Sequence, residues 1–228
     1  MSTSYDTPVV LDRREGPYGE VVLRRHGELL QIIANGCFLM DTSDGRSERL
    51  LIDAALDALP AGRRDPSVLI GGLGVGFSLV RAATESRWGR IAVVEREQAV
   101  VDWHLDGPLG RISGAALADP RTEILRTDLV DHLRTTTERY DALCLDIDNG
   151  PDWTVTQDNG TLYSPTGLAA CRARLTPGGV LDAVLEIVQP GWKAIRSRKD
   201  DLVATTGAGP HRPGERGATS GDGIKRQQ

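Results

Sequence analysis

Ser67-Val68-Leu69-Ile70-Gly71-Gly72-Leu73-Gly74-Val75-Gly76 is the stretch on which the reading of this chain turns. A short apolar run, Val68 to Ile70, ends in four glycines within six positions, Gly71, Gly72, Gly74 and Gly76. Apolar residues then recur at near-helical spacing: Phe77, Leu79, Val80 and Ala83. The pattern predicts a buried strand, a tight turn and a helix start. Glycine suits such a turn because it accepts positive φ and lets a bound group approach the bare backbone. Amides at the helix start can hold a polar or anionic group. About twenty residues on, by the spacing usual for such a pair, a second apolar run, Ile91 to Val94, ends in Glu95. A carboxylate there can accept hydrogen bonds from both hydroxyls of a ribose lying on the loop. Glycine-rich turns alone also occur without a ligand, but together the loop and Glu95 read as a nucleoside pocket.

The glycine spacing discriminates between nucleosides. The dinucleotide fingerprint G-x-G-x-x-G would need glycine at position 77 if it began at Gly72, and Phe77 stands there. Begun at Gly71 it would need glycine at position 73, which is Leu73. The spacing present is G-x-G-x-G, typical of enzymes that use S-adenosylmethionine (AdoMet) and have no pyrophosphate to hold. It favours AdoMet over NAD.

Working outward, a chain of 228 residues with 39% apolar residues suffices for one soluble α/β domain with a small appendage. No apolar run approaches the roughly twenty residues of a membrane span. The first residues, MSTSYDTPVV, lack the basic-then-apolar order of a secretory signal. Cys37, Cys144 and Cys171 are odd in number and far apart, fitting neither a disulfide framework nor a metal site. The expectation is a cytoplasmic protein with no metal. The net charge of −5 is unevenly spread. Residues 190–228 carry eight basic and four acidic side chains, leaving the body with nineteen against twenty-eight, a net of −9. An acidic body suits a cationic small molecule better than nucleic acid or an anionic membrane surface.

Taken in order, residues 1–17 read as an irregular lead-in. Three strand candidates follow, 20–24, 29–34 and 37–41, separated by His26-Gly27 and Asn35-Gly36. Asn-Gly between apolar runs is a strong hairpin signal, because a type I′ turn needs positive φ twice. Residues 1–45 are therefore expected to form a small β-hairpin appendage. Ser47 reads as the N-cap of an amphipathic helix over 48–59, with Leu50, Leu51, Ala54, Ala55 and Leu59 inward and Pro60 as its stop. Strands are then expected at 67–71, 90–95, 122–126, 142–147 and 180–188. Helices are expected at 76–86, 97–105, 129–137 and 164–175, with a short one through 115–118. This alternation defines an α/β class, a doubly wound and mostly parallel sheet covered on both faces, over residues 46–188. Residues 189–228, rich in Gly, Pro, Arg, Ser and Thr, read as a disordered or atypical tail.

Ligands of such sheets sit beyond the carboxyl ends of the strands, where Gly72, Glu95, Asp128, Asp146 and Asp148 all fall. Asp128, ahead of a helix, can accept from an adenine amino group or serve as an N-cap. Asp146 ends an apolar strand, where a carboxylate costs desolvation energy unless it is paired or used. Beside a sulfonium donor it can orient an amine and accept its proton. Asp148, two residues on, can face the same way and complete a cation trap, or merely serve the turn Asp148-Asn149-Gly150-Pro151. The loop through 148–163 carries Trp153, Asn159 and Tyr163 and is long enough to be a lid.

With these residues in place, the chain resembles the spermidine synthase family of class I AdoMet-fold transferases. The matching segments are the hairpin ahead of the fold, Ile70-Gly-Gly-Leu-Gly-Val-Gly76, Val93-Val-Glu-Arg96, Tyr140-Asp-Ala-Leu-Cys-Leu-Asp146 and Leu162-Tyr163-Ser164 before a helix ending in Leu-Thr-Pro-Gly-Gly-Val. The resemblance implies that Glu95 holds the ribose, Asp128 the adenine, and that Asp146 is the catalytic aspartate, with decarboxylated AdoMet as donor and a diamine as acceptor. The chain departs from the family at several places. Gly74 stands where the family keeps an aspartate that grips the donor's amine. Leu39 replaces a glutamine, and the aromatic pair of the polyamine site is missing around Ser47-Glu48-Arg49. Asn149 replaces the second aspartate of Asp-x-x-Asp, with Asp148 one place early.

These observations lead to the expectation of a transferase that moves a methyl or aminopropyl group from AdoMet or decarboxylated AdoMet to an amine or other small nucleophile. The rivals are an NAD-dependent oxidoreductase and a non-catalytic nucleoside-binding or scaffold protein with an incomplete fold. The family's fold ends in an antiparallel hairpin for which residues 189–228 offer no two apolar strands. The expected unpaired sheet edge would then be covered by a partner, as in a homodimer.

Overall fold

Apolar runs separated by turn residues organise this chain into two sheets. The computed structural model describes residues 7–146, 161, 162, 164–185 and 193–198. Strands β1 (Val9–Gly16), β2 (Gly19–His26), β3 (Leu29–Ala34) and β4 (Cys37–Asp41) form an antiparallel sheet in sequence order. Asn35 and Gly36 have φ of 50° and 77°, so Ala34 pairs with Cys37 across the two-residue turn that the Asn-Gly signal predicts. The lead-in is not irregular: β1 occupies 9–16 and pairs along β2. Its side chains are mostly exposed, so it carries no period-2 burial pattern. The ladder, an Arg13–Glu20 ion pair and the Gly16–Gly19 turn hold it instead.

Helix α1 (Arg46–Ala58) follows. Gly45, not Ser47, is its N-cap, and Ser47 lies inside the first turn with its hydroxyl donating to Glu48 at 2.7 Å. The inward stripe is Glu48, Leu51, Ile52, Ala55 and Leu56, while Leu50 is 65% exposed. A one-residue rotation of the expected face separates the two readings, and Glu48 occupies a position that the pattern reserves for an apolar residue.

The second sheet runs β10-β9-β8-β5-β6-β7. Its strands are β5 (Ser67–Gly71), β6 (Arg90–Val94), β7 (Thr122–Leu125), β8 (Tyr140–Leu145), β9 (Leu175–Leu185) and β10 (Lys193–Arg198). The five from β5 to β9 are parallel. Helices α2 (Phe77–Thr84), α3 (Gln98–Leu105), α4 (Gly110–Leu117), α5 (Leu129–Thr135) and α6 (Pro165–Ala173) connect them. Alternate strand residues supply the two faces. Val68, Ile70, Ile91, Val93, Ala142 and Cys144 join a core with α1 to α4 and with Val21, Leu23, Leu30 and Ile32 of the first sheet. Leu69, Ala92, Val94, Leu143 and Leu145 join a second core with Leu129 and Leu133 of α5 and Cys171 of α6. Burying each large aliphatic side chain contributes about 1.5–3 kcal/mol.

Two further elements differ from expectation. Helix α4 starts five residues before the expected 115, despite Gly110 and Gly114. Leu109, Ser113 and Ala116 are buried against its neighbours, and packing outweighs the low helix propensity of glycine. Within the stretch read as a tail, residues 193–198 are a strand antiparallel to β9, with Arg196 opposite Asp182. An edge strand is recruited by its ladder and can be polar, so a search for apolar runs passes over it.

Candidate active site

The carboxyl ends of the strands are tied together by backbone hydrogen bonds. The Asp146 amide donates to Gly71 O at 3.0 Å, Gly72 N to Val94 O at 2.9 Å, and Glu95 N to Leu125 O at 3.0 Å. The ends of β8, β5, β6 and β7 thus form one continuous ledge. On it the glycine loop turns through φ of 92° at Gly72, 50° at Gly74 and 96° at Gly76, which caps α2. These conformations disfavour side chains. A Cβ on Gly76 would also stand 3.0 Å from His104 Cε1 and 3.1 Å from Ser113 Cβ, and one on Gly74 would press into the Met40 sulfur. Gly71 is buried at the end of β5.

Glu95 lies just past β6, buried, and each of its oxygens accepts one backbone hydrogen bond. Oε2 takes Leu73 N at 3.0 Å and Oε1 takes Glu97 N at 2.8 Å. Burial raises its pKa above the usual carboxylate value, opposed by those two amides. The carboxylate therefore clamps the glycine loop, and each oxygen has a further lone pair for a ribose hydroxyl.

Asp128 is the N-cap of α5: its Oδ1 accepts from Val130 N at 2.8 Å and Asp131 N at 3.2 Å. Its Oδ2 is 3.7 Å from the Arg96 guanidinium, which also stacks 3.9 Å from the Tyr18 ring. The first sheet thus reaches the β6–β7 side of the ledge through its β1–β2 turn. Arg96 closes the matching segment Val93-Val-Glu-Arg96 but no role is read for it there, and Tyr18 lies in no motif; a cation beside a lone aromatic carries no sequence signature.

Asp146 accepts a hydrogen bond from Ser78 Oγ, in the first turn of α2, at 2.9 Å. Its carboxyl is pushed up to about 7, chiefly by burial and secondly by the charge of Glu48, with Ser78 pulling the other way. The first turn of α1 meets the first turn of α2. Arg49 lies over the Phe77 ring, 5.2 Å from its centroid, and Gly45 packs closely on the same ring. Glu48, 8% exposed, is the buried acid of that turn. Its signal was legible, since positions 48, 51, 52 and 55 share one helical stripe. A carboxyl titrating near neutrality at a strand end suits proton transfer, and two acids at such a place suit a cation. Asp148, Trp153, Asn159 and Tyr163 lie outside the described residues.

No protein-family model and no curated protein sequence matches the chain. Solved structures do. The crystal structure of spermidine synthase from Thermotoga maritima aligns with a TM-score of 0.63 and 18% identity, over 77% of this chain and 56% of that one. Spermidine synthase in complex with the transition state analogue AdoDATO aligns with a TM-score of 0.62 and 18% identity, over 77% of this chain and 57% of that one. The chain therefore spans little more than half the length of the structures it matches. At this identity the likeness is one of fold, and the described residues have the spermidine synthase-like α/β fold, with an antiparallel sheet ahead of a six-stranded one whose strands β5 to β9 are parallel.

Proposed function

We propose that this chain is an AdoMet-type transferase that moves an alkyl group, methyl or aminopropyl, to an amine or other small nucleophile. The observation that carries this reading is Asp146: a carboxyl held near pKa 7 at the end of β8, hydrogen-bonded to the helix that the glycine loop starts. The residues fit a nucleoside donor. Three loop glycines hold positive φ, and Glu95 is buried at the adjacent strand end. In this reading Gly71, Gly72, Gly74 and Gly76 form the donor's cradle, Glu95 accepts from the ribose, and Oδ2 of Asp128 faces the adenine. AdoMet or decarboxylated AdoMet, when bound, supplies an electrophilic carbon on sulfur and a thioether leaving group. Asp146 and Glu48 attract the cationic acceptor, and Asp146 takes the proton that the amine gives up as its nitrogen bonds to that carbon. Asp148 is a further candidate for the cation trap. The chain reads as an appendage over 1–45 ahead of a nucleoside domain over 46–188, to whose sheet β10 adds an edge strand.

Among the described residues no helix is long and apolar enough to cross a membrane. Calorimetry with AdoMet, decarboxylated AdoMet, methylthioadenosine and NADH tests the proposal. Binding of a sulfonium nucleoside without NADH binding supports it; binding of NADH alone, or of none of the four, refutes it.

A further inference from the structure

His104, at the end of α3, is 1% exposed and is not used by the mechanism above. Both of its ring nitrogens are engaged. Nε2 lies 2.9 Å from Gly74 O and Nδ1 lies 2.6 Å from Ser113 Oγ. A carbonyl oxygen can only accept, so Nε2 carries the proton and Nδ1 accepts from the Ser113 hydroxyl. Burial lowers the imidazole's pKa, in keeping with this neutral form. The ring is also locked sterically, since Gly76 leaves room for it only by lacking a Cβ.

The consequence lies on the other side of the loop. In a trans peptide the carbonyl and the next N–H point to opposite sides, and no described peptide is cis. With Gly74 O drawn toward α3, the Val75 N–H is turned away from α3. Among the described residues neither the Gly74 nor the Val75 amide donates to any group, whereas Leu73 N donates to Glu95 and Gly76 N to Leu73 O. With positive φ at Gly72, Gly74 and Gly76 the loop can flip its peptides cheaply, so something must select one orientation.

We propose that His104 is a positioning residue for donor selectivity. By anchoring the Gly74 carbonyl it presents the Val75 amide to the carboxylate of intact AdoMet, which the decarboxylated donor lacks. This rests on the transferase reading. It also accounts for a loop with no acid at position 74: a carboxylate there would repel the donor carboxylate that the amide receives.

The test is calorimetry with AdoMet and decarboxylated AdoMet on wild type and three variants. His104→Asn places an amide near Nδ1 and loses the donor at Nε2. His104→Gln carries an amide N–H close to the Nε2 position. Ser113→Ala releases the ring while leaving it in place. Wild type is expected to bind AdoMet at least as tightly as the decarboxylated form. His104→Asn should lose AdoMet affinity by about tenfold, the value of one hydrogen bond to a charged group, with the decarboxylated form within about twofold of wild type by the same reasoning, as it lacks that bond. His104→Gln should keep the wild-type ratio, and Ser113→Ala should fall between. A merely structural histidine would lower the melting temperature of His104→Asn with the two affinities changing together, and that result overturns the proposal. If His104→Asn does not fold, an unchanged ratio in folded Ser113→Ala overturns it and a reduced ratio supports it. A wild type that prefers the decarboxylated donor also overturns it. A wild type that binds neither donor refutes the transferase reading itself, and this role with it.

Discussion

Replacing Asp146 by asparagine should stabilise the protein, and do so only where the carboxyl would be ionised. In the folded chain this group titrates near 7 against an ordinary 3.8. The folded state therefore holds a proton that the unfolded state has released between about pH 4 and pH 7. Stability falls with rising pH wherever the folded state binds more protons, so the contribution of Asp146 is most favourable below the unfolded pKa and is lost as pH rises through the folded one. At about 1.36 kcal/mol per unit, the full shift amounts to roughly 4 kcal/mol above pH 8. Asp146 keeps some contact with solvent and the Ser78 hydrogen bond, so about 2 kcal/mol is the expected cost. Asparagine has the same shape and no charge. Urea unfolding of both proteins at several pH values reads the difference, in which titrating groups that do not interact with Asp146 cancel. The variant's advantage should be small near pH 4 and grow to about 2 kcal/mol near pH 8. A gap constant within about 0.5 kcal/mol over that range would show that Asp146 is not a desolvated acid, and its case as a proton acceptor would fall with it.

Glu48→Gln removes the second cause of that elevated pKa, so the rising limb of a pH–rate profile should move to lower pH while the apparent KM for a cationic acceptor rises; an unmoved limb separates Glu48 from Asp146. Glu95→Gln should weaken nucleoside binding by about 1–3 kcal/mol in calorimetry, and Glu95→Ala should also lower stability, because it orphans the Leu73 and Glu97 amides. Gly76→Ala should cost at least 1–2 kcal/mol, roughly the strain of a side chain in this φ region plus its contact with His104 and Ser113; urea unfolding within about 0.5 kcal/mol of wild type would contradict that. Removing residues 190–228, and with them β10, should lower the melting temperature by several degrees more than removing residues 205–228, about what 1–3 kcal/mol gives a chain of this size; equal melting points would show that β10 adds nothing.

Local chemistry with a short range was legible before any coordinates. Asn35-Gly36 makes its turn because two consecutive positive φ angles are needed there, and residues 70–76 bend where glycines sit because little else adopts those angles. The parallel sheet follows from continuous apolar strands, which must be covered on both faces. The ledge holding Gly72, Glu95, Asp128 and Asp146 follows in turn, because parallel strands all end on one side. Where each acid sits was therefore readable, and so was the capping role open to Asp128 ahead of α5, but not the longer-range contacts of the others. Glu95 clamps Leu73, and Asp146 owes part of its pKa to a helix that starts a hundred residues earlier. Strand β1 and strand β10 were missed for one reason. An edge strand is held by its neighbour's backbone, and its own side chains need not record it. The His104–Gly74 bond joins residues thirty apart through the packing of α3 beneath the loop. Such contacts arise only when helices settle on a common sheet, because their energy depends on distances that spacing along the chain does not encode.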